Sequence, residues 1–303
     1  MSHTIPQDLS WRTIEENIND IANVTGGFSP AKRGLIHLPS GGVVFIKIGV
    51  NDSTKQWAKR EVAMYRFLEK HSFPYIPKLL ATNSDETAFA LEALTDDWDW
   101  TDTWTNERLN KTFEAMDVLA SIKPEAAEEA LFKQKTISEK DDGWGPLATS
   151  AKLQAALKSK LQSVGRQDLA ELLDFDTMAN RSAHFTFRSD ALVHNDVRSD
   201  NCAWNAKTSE VRLVDWNWTQ MADLRIDTAA LLVHAKKAGL DIVEYEDRLD
   251  SDALHWIAGF WFRAAATPIW PNGPDNLRDF QLQSGITALN LADKQTSRTA
   301  SGT

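Results

Sequence analysis

The residues whose types and spacing could do chemistry fall in two neighbouring stretches. They are Leu192-Val193-His194-Asn195-Asp196-Val197-Arg198-Ser199-Asp200-Asn201 and Val211-Arg212-Leu213-Val214-Asp215-Trp216. A short apolar run delivers His194 and Asp196 into a loop, and Asn201 opens the next strand. Residues 206–210 read as a turn between strands at 201–205 and 211–216, and antiparallel pairing then carries Asn201 and Asp215 to one end of the hairpin. One carboxylate and one carboxamide oxygen make a hard-oxygen pair suited to Mg²⁺, which binds through few protein oxygens and fills its shell with water and phosphate. Asp196 is then left to orient a hydroxyl or accept its proton. This is the set of groups that phosphoryl transfer needs.

Such groups work only if distant elements hold them in place. In the amino-terminal third, residues 9–22 read as a short helix. Residues 35–38 and 43–48 read as strands joined through Pro39-Ser40-Gly41-Gly42, where the glycines permit positive φ. Residues 54–70 follow a helical period that Pro74 and Pro77 stop, and residues 89–94 read as one more strand. Strand alternation puts Lys47 on the face of Val43 and Phe45. Glu61 follows Trp57 by four residues and precedes Met64 by three and Leu68 by seven, so it lies on the apolar stripe of its helix. A lone carboxylate there is costly, and Lys47 is the obvious cation to meet it. Beyond Asp96 the pattern is mainly helical, at 109–122, 151–173, 228–238 and 251–266. The polar tail at 294–303 is expected to fray.

His-x-Asp-x-x-x-x-Asn followed by an aspartate on the next strand resembles the protein-kinase-like superfamily. Asp215-Trp216, in place of Asp-Phe-Gly, is similar to the aminoglycoside phosphotransferase and choline kinase family, and the resemblance runs from about Gly26 past Trp256. It implies an α+β, bilobal protein-kinase-like fold: a β-sheet-plus-helix lobe at 1–95 that binds nucleotide, and a larger, mainly helical lobe at 96–303 carrying the catalytic loop, the Mg²⁺ site and the acceptor pocket. By that likeness Asp196 is catalytic, Asn201 and Asp215 hold Mg²⁺, and Lys47 grips the α- and β-phosphates of ATP (or GTP) while Glu61 positions it. Gly27, Phe28 and Ser29 stand where a phosphate-covering loop belongs, and Glu92 and Leu94 stand at the adenine hinge. Asp227, twelve residues after Asp215, braces the catalytic loop, and His194 supports it from the core. Twelve residues leave no room for the activation segment of a protein kinase. Asn195 stands in place of the usual glycine, and Ala222-Asp223-Leu224 in place of Gly-Asp-Pro.

The implied reaction moves the γ-phosphoryl group of ATP to a hydroxyl of a small, cationic or neutral molecule. An aminoglycoside-like antibiotic is one candidate, which would make the protein an antibiotic-resistance enzyme. A choline-, sugar- or homoserine-type metabolite and a catalytically silent nucleotide-binding role are the alternatives. Asp97, Trp98 and Asp99, in a segment rich in acids and tryptophans, read either as the mouth of a pocket for amines or as a solvated loop docked on the core. Trp256 and Trp261 offer a second aromatic group for the acceptor, or ordinary helix packing. Cys202 alternates with Asn201 and reads as a small buried hydrophobe.

Composition removes other classes. Asp and Glu (43) outnumber Lys and Arg (33), a net charge of −10 that argues against a nucleic-acid partner. One cysteine allows neither an internal disulfide nor a multi-cysteine zinc site. No Gly-Lys-Ser/Thr P-loop and no Gly-x-Ser-x-Gly elbow is present. The first residues lack a signal-peptide pattern and no run approaches a membrane span, so the expected location is cytoplasmic, with no membrane partner. Oligomeric state is not legible.

Overall fold

Caps and turns set where each element starts and stops. The computed structural model describes residues 9–24, 30–39, 41–132, 137–270 and 274–301. In chain order the first half forms α1 (Trp11–Glu16), β1 (Ala22–Asn23), β2 (Lys32–His37), β3 (Val43–Ile48), α2 (Asp52–Lys70), β4 (Leu79–Thr82), β5 (Ala88–Glu92) and α3 (Asn106–Ser121). There follow α4 (Trp144–Thr149), α5 (Ala151–Ser163), α6 (Gln167–Leu172), α7 (Phe175–Ser182), β6 (Ala191–Val193), β7 (Cys202–Asn205) and β8 (Glu210–Leu213). The chain then runs through β9 (Gln220–Ala222), α8 (Leu224–Lys237), α9 (Ser251–Ala266) and α10 (Leu277–Ser301). This is the α+β mixture expected from the sequence. No helix among the described residues is long and apolar enough to cross a membrane.

The chain divides into two compact units. The first comprises Met1–Asp102, Glu107–Ile122 and Ser199–Thr219, and the second Thr103–Asn106, Lys123–Arg198 and Gln220–Thr303. This division differs from a split at residue 95, because α3 and the β7–β8 hairpin belong with the first unit. Hydrogen bonds explain why: Asp99 and Trp204 exchange backbone bonds of 2.7 and 2.9 Å, and Leu213 donates to the Tyr75 carbonyl at 2.7 Å.

In the first unit an antiparallel sheet of order β1-β2-β3-β5-β4 forms the frame. The β2–β3 hairpin closes with Leu38 N donating to Gly42 O at 2.7 Å, and Gly41 takes φ +87° there. One sheet face buries Ile36, Val44, Ile46 and Ala90 against Ile14. The other carries Lys47, which pairs with Phe89, and the Phe89 ring lies 6.1 Å from Tyr65 of α2. α2 starts at Asp52, two residues ahead of the periodic run, because Asn51 caps it. The Asn51 side chain accepts from Thr54 N at 2.9 Å and the Thr54 hydroxyl accepts from Asn51 N at 3.0 Å. Its buried stripe runs through Thr54, Ala58, Glu61, Val62, Tyr65 and Leu68, whereas Trp57 is exposed.

In the second unit α8, α9 and α10 bury Leu231, Leu232, Trp256, Phe262 and Leu289. β6 pairs with β9, from Ala191↔Ala222 to Val193↔Gln220. Two expectations are corrected. The run at 151–173 is two helices, because Gly165 at φ +76° lets the chain turn after the first. The tail expected to fray from 294 instead continues α10 to Ser301.

Candidate active site

Four side chains of the first unit converge on two oxygen atoms. Lys47 Nζ donates to Glu61 Oε1 and, at 3.0 Å, to Asp215 Oδ1. Asn217 Nδ2 donates to the same two atoms, 2.7 Å to each. The side chains of Lys47 and Glu61 are 7% and 2% exposed and that of Asp215 is 22% exposed, so the carboxylate of Asp215 is the open side of the cluster. Burial alone would lower the Lys47 pKa, but Asp215 and Glu61 outweigh it and hold the ammonium charged. Burial pushes the Glu61 carboxyl up to about 7, against the pull of Lys47.

The β7–β8 hairpin supplies Asp215. Its register pairs Cys202 with Leu213, and Val214 N donates to Asn201 O at 3.0 Å, which brings Asn201 and Asp215 to one end of the ladder. Asp215 takes φ +67°, a left-handed conformation unusual for a side-chain-bearing residue. The buried Trp216, edge-on to Phe73 at 5.8 Å, anchors the next residue. Asn201 and Asp215 present only hard oxygen donors, and among the described residues no group of three or more His, Cys, Asp or Glu could hold a metal ion. The pair therefore fits a cation that draws most of its ligands from water and phosphate, as Mg²⁺ does.

The second unit holds the loop after β6. His194 is fully buried, and its backbone N–H donates to Asp227 Oδ2 at 3.2 Å. Burial pushes the Asp227 carboxyl up to about 6, against bonds from the backbone N–H groups of Asn195 and His194. Asn195 takes φ +63°, a conformation that Asn tolerates better than most side chains, which accounts for Asn where the resemblance has Gly. Asp196 N donates to His194 Nδ1 at 3.3 Å, and Asp196 Oδ1 accepts from Arg198 Nε at 3.1 Å. The Asp196 side chain is 29% exposed.

Other expected site residues are placed as follows. Gly27, Phe28 and Ser29 lie outside the described residues. Glu92 ends β5, and its N–H donates to Lys78 O at 2.9 Å; the Leu94 carbonyl accepts from Trp100 Nε1 at 3.1 Å. Asp97 pairs with Lys207, and the guanidinium of Arg212 lies 5.5 Å from the centre of the Trp98 ring. Asp99 folds back on Thr101, accepting from its N–H at 2.8 Å and its hydroxyl at 3.0 Å. These contacts dock the loop on the β7–β8 hairpin, with only Asp99 turned back on its own segment. Trp256 stacks on Phe260 and Trp261 lies edge-on to His234 within the helical packing.

Two residues escaped the sequence reading. Asn217 is one; an Asn two positions after Asp215 carries no pattern of its own. The other is Arg108, fully buried in α3, whose guanidinium donates to the carbonyls of Thr101 (2.8 Å), Ser199 (3.2 Å) and Cys202 (2.6 Å) and so holds the backbone that carries Asn201. The signal was there: like Glu61, Arg108 is a charge on an apolar helix stripe, beside Leu109, Thr112 and Phe113. Cys202 is buried, its sulfur 3.3 Å from the Thr112 hydroxyl.

No protein-family model matches the chain, and no curated protein matches it in sequence. Solved structures do match. The choline kinase LicA of Streptococcus pneumoniae is 12% identical, covers 92% of this chain and 98% of its own, and superposes with a TM-score of 0.54. The spectinomycin phosphotransferase APH(9)-Ia, in complex with ADP and spectinomycin, is 15% identical over 91% of this chain and 92% of its own, with a TM-score of 0.55. The ADP-bound aminoglycoside phosphotransferase APH(2'')-Ib is 16% identical over 91% and 98%, at 0.53. The chain therefore has the α+β kinase-like fold that these small-molecule kinases share.

Proposed function

We propose that the protein is an ATP- and Mg²⁺-dependent O-phosphotransferase that moves the γ-phosphoryl group to a hydroxyl of a small molecule. The observation that carries this reading is the convergence of Lys47, Glu61 and Asp215, 14 and 168 residues apart in sequence, on shared hydrogen bonds. A buried ammonium held charged by two carboxylates suits the phosphates of a nucleotide, and the fold is one in which choline kinase and ADP-bound phosphotransferases occur. Lys47, set by Glu61, grips the nucleotide phosphates, and Asn201 and Asp215 hold Mg²⁺, which supplies charge neutralisation at the transferring group. Asp196, steered by Arg198 and by the loop that Asp227 braces, orients the acceptor hydroxyl and takes its proton. Rate comes from positioning and electrostatics, with no covalent enzyme intermediate.

The acceptor is a small hydroxylated molecule, with an aminoglycoside-like antibiotic first to be tried and choline, a sugar or a homoserine-type metabolite after it. The test is phosphate transfer from Mg-ATP, and from Mg-GTP, across a panel of these compounds. Asp196→Ala should lower turnover about 10²–10⁴-fold, the range for removing a general base, while ADP affinity measured by calorimetry stays within about twofold of wild type. Unchanged turnover in that variant removes Asp196 from its role.

A further inference from the structure

The cluster around Lys47 is bridged twice. Glu61 Oε1 and Asp215 Oδ1 each accept one hydrogen bond from the ammonium and one from the carboxamide of Asn217. Acceptors on both sides fix the amide's orientation: its two hydrogens face the carboxylates, and its carbonyl faces the other way. That carbonyl, Oδ1, is buried and accepts no hydrogen bond among the described residues. Stranding a buried acceptor is unfavourable and uncommon in folded proteins, so the amide spends both its hydrogens where they matter more. The next turn of chain is tied down as well, since Arg60 of α2 donates to the Thr219 carbonyl at 2.7 Å.

The residue type has a physical reason. Two carboxylates share one ammonium, and the negative charge at Asp215, the more exposed of them, is what attracts a divalent cation. A lysine or arginine at 217 would cancel that charge, and an aspartate or glutamate would add a third repelling carboxylate beside two that already share one cation. A carboxamide supplies two donors and no charge.

We infer that Asn217 is a positioning residue, a neutral double donor that holds Glu61 and Asp215 to one another across Lys47 and so keeps the ammonium set for a nucleotide's phosphates. The inference rests on the reading of this cluster as a nucleotide site. It acts through Lys47, and this makes it testable by non-additivity. The measurement is calorimetric binding of ADP, first without divalent cation and then with Mg²⁺, on wild type, Asn217→Leu, Lys47→Ala and the double variant, with the thermal midpoint of each recorded.

Asn217→Leu keeps the approximate shape and removes both donors. It should weaken metal-free ADP binding about tenfold, the worth of one hydrogen bond to a charged group, and should cost nothing further in the Lys47→Ala background. A strut that merely stabilises the fold would lower the thermal midpoint and leave the affinity of the folded protein unchanged. Asn217→Ser, which retains one donor, should fall between, and it serves if the leucine variant does not fold. Wild-type affinity in Asn217→Leu, or an equal loss in both backgrounds, overturns the inference alone. Absence of ADP binding by the folded wild type overturns the nucleotide reading and takes this inference with it.

Discussion

Glu61, Arg108 and Asp227 are all ionisable groups buried almost completely, and each is tied to backbone or to an opposite charge near the functional loops. A buried charge is tolerated only when it is paired and hydrogen-bonded, so these positions mark where the fold gives up apolar packing for placement. Asp227 gives a prediction with a sign. Its pKa is about 6 in the folded protein against 3.8 for an ordinary Asp, so the native state binds its proton more tightly. That contribution is full below about pH 4 and is lost as pH rises through about 6. The stability difference between wild type and Asp227→Asn should therefore shift against wild type by about 2 kcal/mol between pH 4 and pH 7, read from urea unfolding at each pH. A flat difference would show that burial does not perturb this carboxyl. At Asp215 the expected change is in metal dependence. Asp215→Asn keeps the shape and removes the negative charge, so the Mg²⁺ concentration for half-maximal activity should rise by at least about tenfold, the worth of one charge-assisted contact.

At the scale of elements, the candidate cation pair depends on a four-residue strand, β7, and the helix beside it. Arg108 of α3 satisfies three carbonyls, two of them, on Ser199 and Cys202, flanking Asn201. Arg108→Leu would remove the guanidinium donor from the buried bonds to the Ser199 and Cys202 carbonyls. The expected loss is about 3 kcal/mol of stability, since each stranded group costs about 1–3 kcal/mol and part of the set relaxes. Denaturant unfolding measures it, and a variant within about 0.5 kcal/mol of wild type would show the guanidinium to be dispensable. The same contacts explain why the hairpin belongs to the first unit. Short strands bury too little to stand alone, and β7–β8 is held by backbone bonds to the loop carrying Asp99 and to Tyr75.

At the scale of the whole molecule, the chain carries a net charge of −10, while the cluster at Lys47 sets one ammonium against the carboxylates that would receive a cation. A polyanionic nucleotide approaching such a molecule needs a divalent partner to screen it. Mg-ADP at 100 times its Kd should stabilise the protein by about 2.7 kcal/mol, a rise in the thermal midpoint of about 5 °C or more. ADP without Mg²⁺ should give a clearly smaller rise, and scanning calorimetry separates the two. Equal shifts with and without the cation would count against Asn201 and Asp215 as its holders.

Periodicity and residue type were sufficient for the elements with strong local signals. The β2–β3 hairpin, α2 and α9 lie within two or three residues of where the sequence places them, because turn residues, caps and apolar spacing are local properties of the chain. Glu61 on an apolar stripe already called for a cation, since an unpaired buried carboxylate is too costly to leave, and Lys47 on the preceding strand was the obvious candidate. What the sequence could not show was the second carboxylate partner of that lysine, Asp215, 168 residues away, or Asn217 beside it. Side-chain amides have no periodic signature, and their hydrogen bonds are chosen only once the backbone has brought acceptors within reach. The acidic, tryptophan-rich segment points the same way. From sequence its charges looked available to a substrate, but folding brings Lys207 and Arg212, more than a hundred residues on, to Asp97 and Trp98. Burial and pattern are written locally; which polar groups meet is decided by the tertiary fold, because hydrogen bonds and ion pairs depend on distances that only the assembled chain defines.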